Sequence, residues 1–292
     1  MTTKSYRVKF ASNPSSIELA GIVDRPEQWP PQATDAKGPT RGPVLVYSHC
    51  FTCNKDLKAT VRISRALARQ GVAVLRYDMR GLGGSGGRFQ DSNFSTNLDD
   101  LSAAVAFARR ELGAVTGLVG HSFGGIASLV AAATRPREEF EDLKKLGFVA
   151  TLAAPSDTQH LAKLLLRMNP AIESNGEGEV SIGGVRWTVT RQMIEDFRSH
   201  QFADQLRNLA CPVLLMHSPD DETVHFDHAV RLFQLIQQPA DIAAERRNAA
   251  NTASLISLPG ADHLLSQEPS DLQFVANLIA SWSHRYLVSK GE

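Results

Sequence analysis

The pentapeptide Gly120-His121-Ser122-Phe123-Gly124 restricts what this chain can fold into more than any other stretch. It follows the apolar run Val115-Thr116-Gly117-Leu118-Val119 and leads into a small-residue helical pattern from Gly125 to Ala133. A serine with glycines two positions to either side, set between a buried strand and a helix, fits the sharp corner called a nucleophile elbow. The serine backbone there is strained toward positive φ, and a side chain at either glycine would collide with the adjoining strand or helix. The corner lifts the Ser122 hydroxyl out of the sheet, and the helix start offers the Phe123 backbone N–H to a developing oxyanion. As a bare pattern the motif is common; the strand before it and the helix after it separate it from an ordinary Gly/Ser turn.

A chain of 292 residues is long enough for one large α/β domain, 1–292, with an insertion. Lys and Arg number 31 and Asp and Glu 31, with no long basic stretch to neutralise phosphates, so nucleic acid is not an expected partner. Apolar runs such as Phe148 to Pro155 fall far short of the roughly 18 residues that cross a bilayer. No signal-peptide core follows Met1, so a cytoplasmic location is the expectation. Three cysteines in a chain this size do not make a disulfide scaffold.

Along the chain, Tyr6 to Phe10 and Ile17 to Leu19 alternate apolar and polar residues, predicting two opening antiparallel strands. The proline-rich stretch Arg25 to Pro43 reads as a surface loop. Buried strands are predicted at Val44 to Tyr47, Val72 to Tyr77, Gly147 to Leu152, Pro212 to Met216 and Ser254 to Leu258. Helices are predicted at Ala59 to Gln70, from a Thr96 or Asn97 cap to Leu112, and at Leu272 to Tyr286. Continuous apolar strands alternating with helices imply a mostly parallel sheet covered on both faces. Between two of these strands, 156–208 holds a helix pattern through Leu161, Leu164, Leu165 and Met168, a loop at Gly176 to Glu179, a hairpin from Val180 to Val189 turning at Gly183-Gly184, and a helix from Arg191 to Phe197. An insertion this long is expected to form a lid over the site, the alternative being a packing excursion. Leu164, Leu165, Met168 and Trp187 then either line an apolar pocket or belong to the core.

A serine nucleophile needs a base, and the base an orienting acid. In an open α/β sheet these gather at the carboxyl ends of strands. Two such places carry the chemistry: His217-Ser218-Pro219-Asp220-Asp221 and Pro259-Gly260-Ala261-Asp262-His263. His263 is assigned as base and Asp221 as acid, in preference to Asp220, which can cap the turn, while Asp262 suits a loop hydrogen bond. The second oxyanion donor is expected at the Phe51 N–H, in Ser48-His49-Cys50-Phe51-Thr52-Cys53. His121 is expected to pack or bond locally. His217, His225 and His228 lack the pattern of a metal site, and no cofactor is expected. The glycine-rich stretch Asp78 to Gly87 lacks the lysine of a phosphate-binding loop and reads as a rim loop.

Together, Gly120 to Gly124, Asp78-Met79-Arg80-Gly81-Leu82-Gly83-Gly84-Ser85, the Asp221 turn ending at Val224, and Gly260-Ala261-Asp262-His263 resemble the α/β-hydrolase superfamily, from about Val8 to Trp282. His49-Cys50-Phe51-Thr52-Cys53-Asn54-Lys55-Asp56, Met216 to Asp221 and Ala261 to Leu265 resemble more narrowly the hydrolase half of bacterial proteins fused to an OsmC-like peroxidase. The resemblance implies a serine hydrolase, esterase-like or serine-aminopeptidase-like, with Ser122, Asp221 and His263 as its triad and a small acyl substrate. No OsmC-like domain follows Trp282, so it also implies that any such peroxidase acts in trans. The usual His-Gly loop of the superfamily carries Cys50 in place of glycine.

Cys50 and Cys53 have redox-motif spacing and bracket the Phe51 donor. They are read as a candidate redox pair controlling a hydrolase, as reduced residues packed under the loop, or as the centre of a thiol-redox protein. Cys211 reads as inert core. A non-catalytic binding scaffold of the same fold is the further alternative.

Overall fold

Eight strands form one sheet in the order β1-β2-β4-β3-β5-β6-β9-β10. The computed structural model describes residues 1–12, 16–30, 42–134, 146–237 and 252–287; residues 31–41 of the predicted proline-rich loop lie outside them. β1 (Thr3–Ala11) and β2 (Glu18–Pro26) pair antiparallel, and β2 pairs antiparallel with β4 (Ala73–Tyr77). From β4 onward all neighbours are parallel: β3 (Val44–Ser48), β5 (Gly117–His121), β6 (Phe148–Leu152), β9 (Val213–His217) and β10 (Ala253–Ser257).

The alternation of side chains along a strand explains the unbroken apolar runs. Val44 and Val46 point into a core shared with α2 (Phe94–Leu112), α3 (Phe123–Ala133) and α8 (Asp227–Gln237). Leu45 and Tyr47 point into the opposite core, shared with α1 (Lys58–Arg69) and α9 (Pro269–Arg285). The expected α/β sheet with helices on both faces is therefore the fold. No helix among the described residues is long and apolar enough to cross a membrane.

Two local expectations are corrected. Helix α2 is capped by Asn93, not by Thr96 or Asn97: the Asn93 side chain accepts the Thr96 N–H at 2.8 Å and the Thr96 hydroxyl accepts the Asn93 N–H at 2.9 Å. Burial of the Phe94 ring fixes that earlier turn. Glu177 to Glu179 is not loop but part of β7 (Glu177–Ile182), paired with β8 (Val185–Thr190) across Gly183 and Gly184, both at positive φ. Ladder hydrogen bonds outweigh its poor strand composition.

The excursion between β6 and β9 comprises α4 (Gln159–Met168), α5 (Ala171–Asn175), the β7–β8 hairpin, α6 (Arg191–Ser199) and α7 (Ala203–Leu206). Asp196 of α6 accepts the Phe94 N–H at 2.8 Å and the Ser95 hydroxyl at 2.6 Å. A carboxylate on the N-terminus of α2 suits the helix dipole and fastens the excursion to the sheet's helical layer.

Candidate active site

Ser122 sits between β5 and α3 at φ 52°, ψ −117°, a strained conformation for a residue with a Cβ. The corner is tight enough that a Cβ on Gly120 would run into the Gly124 carbonyl, and one on Gly124 into the Ser48 and His49 carbonyls. The Ser122 N–H donates to the Leu152 carbonyl at 2.7 Å, holding the corner against β6. Thr52, Ala153 and Leu265 are also at positive φ; with Ser122 they make four of the five non-glycine cases among the described residues, all in loops near one end of the parallel strands. Strain of that kind collects where function over-determines the backbone.

The loops that carry Asp221 and His263 meet at that end. The His263 Nδ1–H donates to Asp221 Oδ2 at 2.7 Å, which leaves Nε2 as the acceptor nitrogen because a carboxylate can only accept. Asp221 Oδ1 accepts the Thr223 and Val224 N–H groups, each at 2.9 Å. His217 donates Nε2–H to the Val224 carbonyl at 2.7 Å and lies 3.5 Å from Asp221 Oδ2. Burial alone would push the Asp221 carboxyl up; the His217 and His263 hydrogen bonds outweigh it and hold the group well below the usual carboxylate range. Asp220 instead accepts the Gly260 N–H at 2.7 Å, bridging the two loops, and Asp262 caps the Ser266 N–H at 2.6 Å.

His121 is buried, in line with the expectation that it packs, but its hydrogen bond is not local. Its Nε2–H donates to the His263 carbonyl at 2.7 Å, so the residue before Ser122 is tied to the residue 142 positions on. That partner is invisible to a reading of neighbours. Burial, and behind it the His263 charge, lowers His121 from 6.5 to about 3.

On the other flank of the elbow, His49 donates Nδ1–H to the Cys50 carbonyl at 2.8 Å and accepts the Met79 N–H on Nε2 at 3.1 Å. Cys50 to Cys53 closes as a turn, with the Cys53 N–H on the Cys50 carbonyl at 3.1 Å. The cysteines are joined in a disulfide, so the expectation of two reduced residues does not hold; Cys211 is free and buried. Phe51 lies inside this four-residue ring. Its side chain packs on Phe123 at 5.5 Å and on Phe197 of α6 at 5.9 Å between centroids, and Phe123 meets Phe197 at 5.6 Å. Trp187 of β8 extends the row through Phe89 at 4.7 Å. The excursion thus rests on the side chains of Phe51 and Phe123 through Phe197, while Leu165 is fully buried and Met168 exposed.

A family model described as "Alpha/beta hydrolase family" matches residues 44–277. Among solved structures, the esterase domain of a Rhodothermus marinus protein is 34% identical, with 99% of this chain and 100% of that one covered and a TM-score of 0.68. Est1E from Butyrivibrio proteoclasticus, solved with ferulic acid bound, is 22% identical over 97% of this chain and 100% of its own, with a TM-score of 0.73. Human Protein ABHD12B is 22% identical over 244 residues, 82% of this chain, and this chain spans 62% of its length.

Proposed function

The chain belongs to the alpha/beta hydrolase family, and from that premise we propose that it is a serine hydrolase acting on a small acyl substrate, an ester before a thioester or amide. The preference for an ester is supported by its 34% identity to an esterase domain over nearly its whole length. The carrying observation is the 2.7 Å His263–Asp221 hydrogen bond at the end of the sheet where Ser122 is held in a strained corner.

In this reading His263 Nε2 takes the Ser122 hydroxyl proton as the oxygen attacks the substrate carbonyl. Asp221 keeps the proton on Nδ1 and stabilises the imidazolium that forms. The Phe123 N–H, one of the helix-start donors with no partner inside α3, and the Phe51 N–H receive the oxyanion. Collapse of the tetrahedral intermediate returns the proton to the leaving group and leaves an acyl group on Ser122. Water, deprotonated by His263, then releases the acid. The insertion serves as a lid whose Phe197 backs both oxyanion residues.

A fluorophosphonate probe is expected to label Ser122, and Ser122→Ala and His263→Ala to lower turnover of a p-nitrophenyl ester at least about 10³-fold. Wild-type turnover in either variant, or an unlabelled native protein, overturns the reading in favour of a non-catalytic scaffold.

The disulfide favours a second property of the same site, redox control. Cys53 is half-buried and Cys50 buried, so a dithiol reductant meets Cys53 Sγ first. Attack there releases Cys50 as a thiolate, and closure of the reductant's own disulfide frees Cys53; two protein thiols replace one disulfide. The turn around Phe51 then loses its covalent closure. The resemblance to hydrolases fused to OsmC-like peroxidases makes such a peroxidase the corresponding partner proposal.

A further inference from the structure

A catalytic imidazole must be fixed at more than one point. The Asp221 carboxylate grips the His263 side chain at Nδ1, but a single hydrogen bond leaves the ring free to swing about it and leaves the main chain beneath it unplaced. The loop from Pro259 to Ser266 has internal bonds, Ala261 N–H to Leu258 at 3.2 Å and Leu265 N–H to Asp262 at 3.0 Å, that shape it without locating it against the nucleophile. Asp220 ties it to the acid loop at Gly260. The bond that reaches from this loop to the elbow is the one from His121 to the His263 carbonyl, between rings 5.2 Å apart and inclined by 38°.

We infer that His121 is a positioning residue for the base: it registers the His263 main chain against the residue preceding Ser122, so that serine and imidazole move as one body. The inference rests on the reading of His263 as the base. Three features of the structure fit it. His121 is buried, 1% exposed, at the last position of β5, so its backbone is set by strand pairing with Leu152 on β6. Its Nε2 must carry the proton, because the carbonyl it meets only accepts. Burial keeps the ring neutral, so no second positive charge forms 5 Å from His263 when that ring takes the serine proton; Asp221 acts weakly in the opposite direction and His49 in the same one.

His121 is not alone in this arrangement. His49, just past β3, and His217, at the end of β9, are also buried and donate to main-chain carbonyls of the oxyanion and acid loops. Each of the three loops of the site is thus fastened by a histidine at the end of a parallel strand. His49 also reaches a second loop, accepting the Met79 N–H after β4 at 3.1 Å; His121 differs in that its bond reaches the loop that carries His263.

The test compares His121→Leu, which keeps bulk and removes the donor, with His121→Gln, whose terminal amide offers an N–H at similar reach. His121→Leu is expected to lower kcat for a p-nitrophenyl ester about 10–100-fold with KM changed less than about twofold, since a misplacement near 1 Å costs that much. The fluorophosphonate labelling rate is expected to fall in parallel, and His121→Gln to recover most of both losses. His121→Asn, polar but one bond too short, carries the leucine expectation if that variant does not fold. An unchanged kcat without the donor, or a glutamine variant as impaired as leucine at equal thermal stability, overturns the inference. Ser122→Ala assayed alongside reports on the parent reading separately: if it turns over like wild type, the fault lies with the serine mechanism and not with His121.

Discussion

Asp221 occupies a site that by burial alone favours a neutral carboxyl, and its hydrogen-bond donors reverse that preference. The reversal has a sign that can be measured. A carboxyl whose folded value lies below its unfolded value of about 3.9 contributes stability that is complete above that value and is lost as pH falls toward the folded one. Asp221→Asn is therefore expected to melt below wild type at pH 6, with a gap that holds to about pH 4 and begins to narrow only below about 3.9, followed by differential scanning fluorimetry down to about pH 3 or below. A gap that closes already above about pH 4 would contradict the shift. Turnover at pH 7 is expected to drop on the order of 10³–10⁴-fold, since the amide no longer holds the imidazole in the required tautomer. The sequence favoured Asp221 over Asp220 because Asp220 can cap the turn; in the structure Asp220 accepts the Gly260 N–H of the neighbouring loop instead. The role of His121 was not legible, since nothing near Gly120 or Ser122 encodes a partner 142 residues away.

At the scale of elements, the Cys50–Cys53 ring and helix α6 both bear on Phe51. Phe51 inside the ring packs on both Phe123 and Phe197, so loosening the ring or shifting α6 disturbs the residue proposed as an oxyanion donor. Reduction with dithiothreitol, verified by mass spectrometry of the Cys50–Cys53 peptide, is expected to lower kcat by up to about 10²–10³-fold, the usual cost of one such donor. Equal turnover of the oxidised and reduced forms dismisses redox control. Loss of a thiol-exchange activity in Cys53→Ser, with none in Ser122→Ala, would favour a thiol-redox protein instead. Elements with strong periodicity were readable: α1 begins one residue from its expected start, and β9 and β10 lie within one residue of theirs. Helix α8 was missed, because its buried face rests on only three residues, Ala229, Leu232 and Ile236. The strand expected at Val115 lies two residues later, since pairing with β3 and β6 carries it through His121.

For the molecule as a whole, the buried histidines set a limit on acid tolerance. His49 and His121 are both lowered by burial, so the folded chain refuses protons that the unfolded chain accepts near pH 6.5. Stability then falls as pH drops below about 6.5, with a slope approaching about 1.4 kcal/mol per pH unit for each such histidine. The melting temperature is expected to decline between pH 7 and pH 5, above the range where carboxylates titrate, and more gently in His121→Gln. A flat profile over that interval would show that these rings are protonated when folded. The parallel sheet and its two apolar faces were legible from runs such as Val44 to Tyr47; the order of the strands was not, because register and adjacency depend on contacts that no local pattern records.

β6 and β9 are hydrogen-bonded neighbours, so the excursion between them leaves and rejoins the sheet at adjacent places. The register of the two strands is therefore independent of how much chain lies between them, and the excursion touches the elbow through side chains such as Phe197 and not through the sheet ladder.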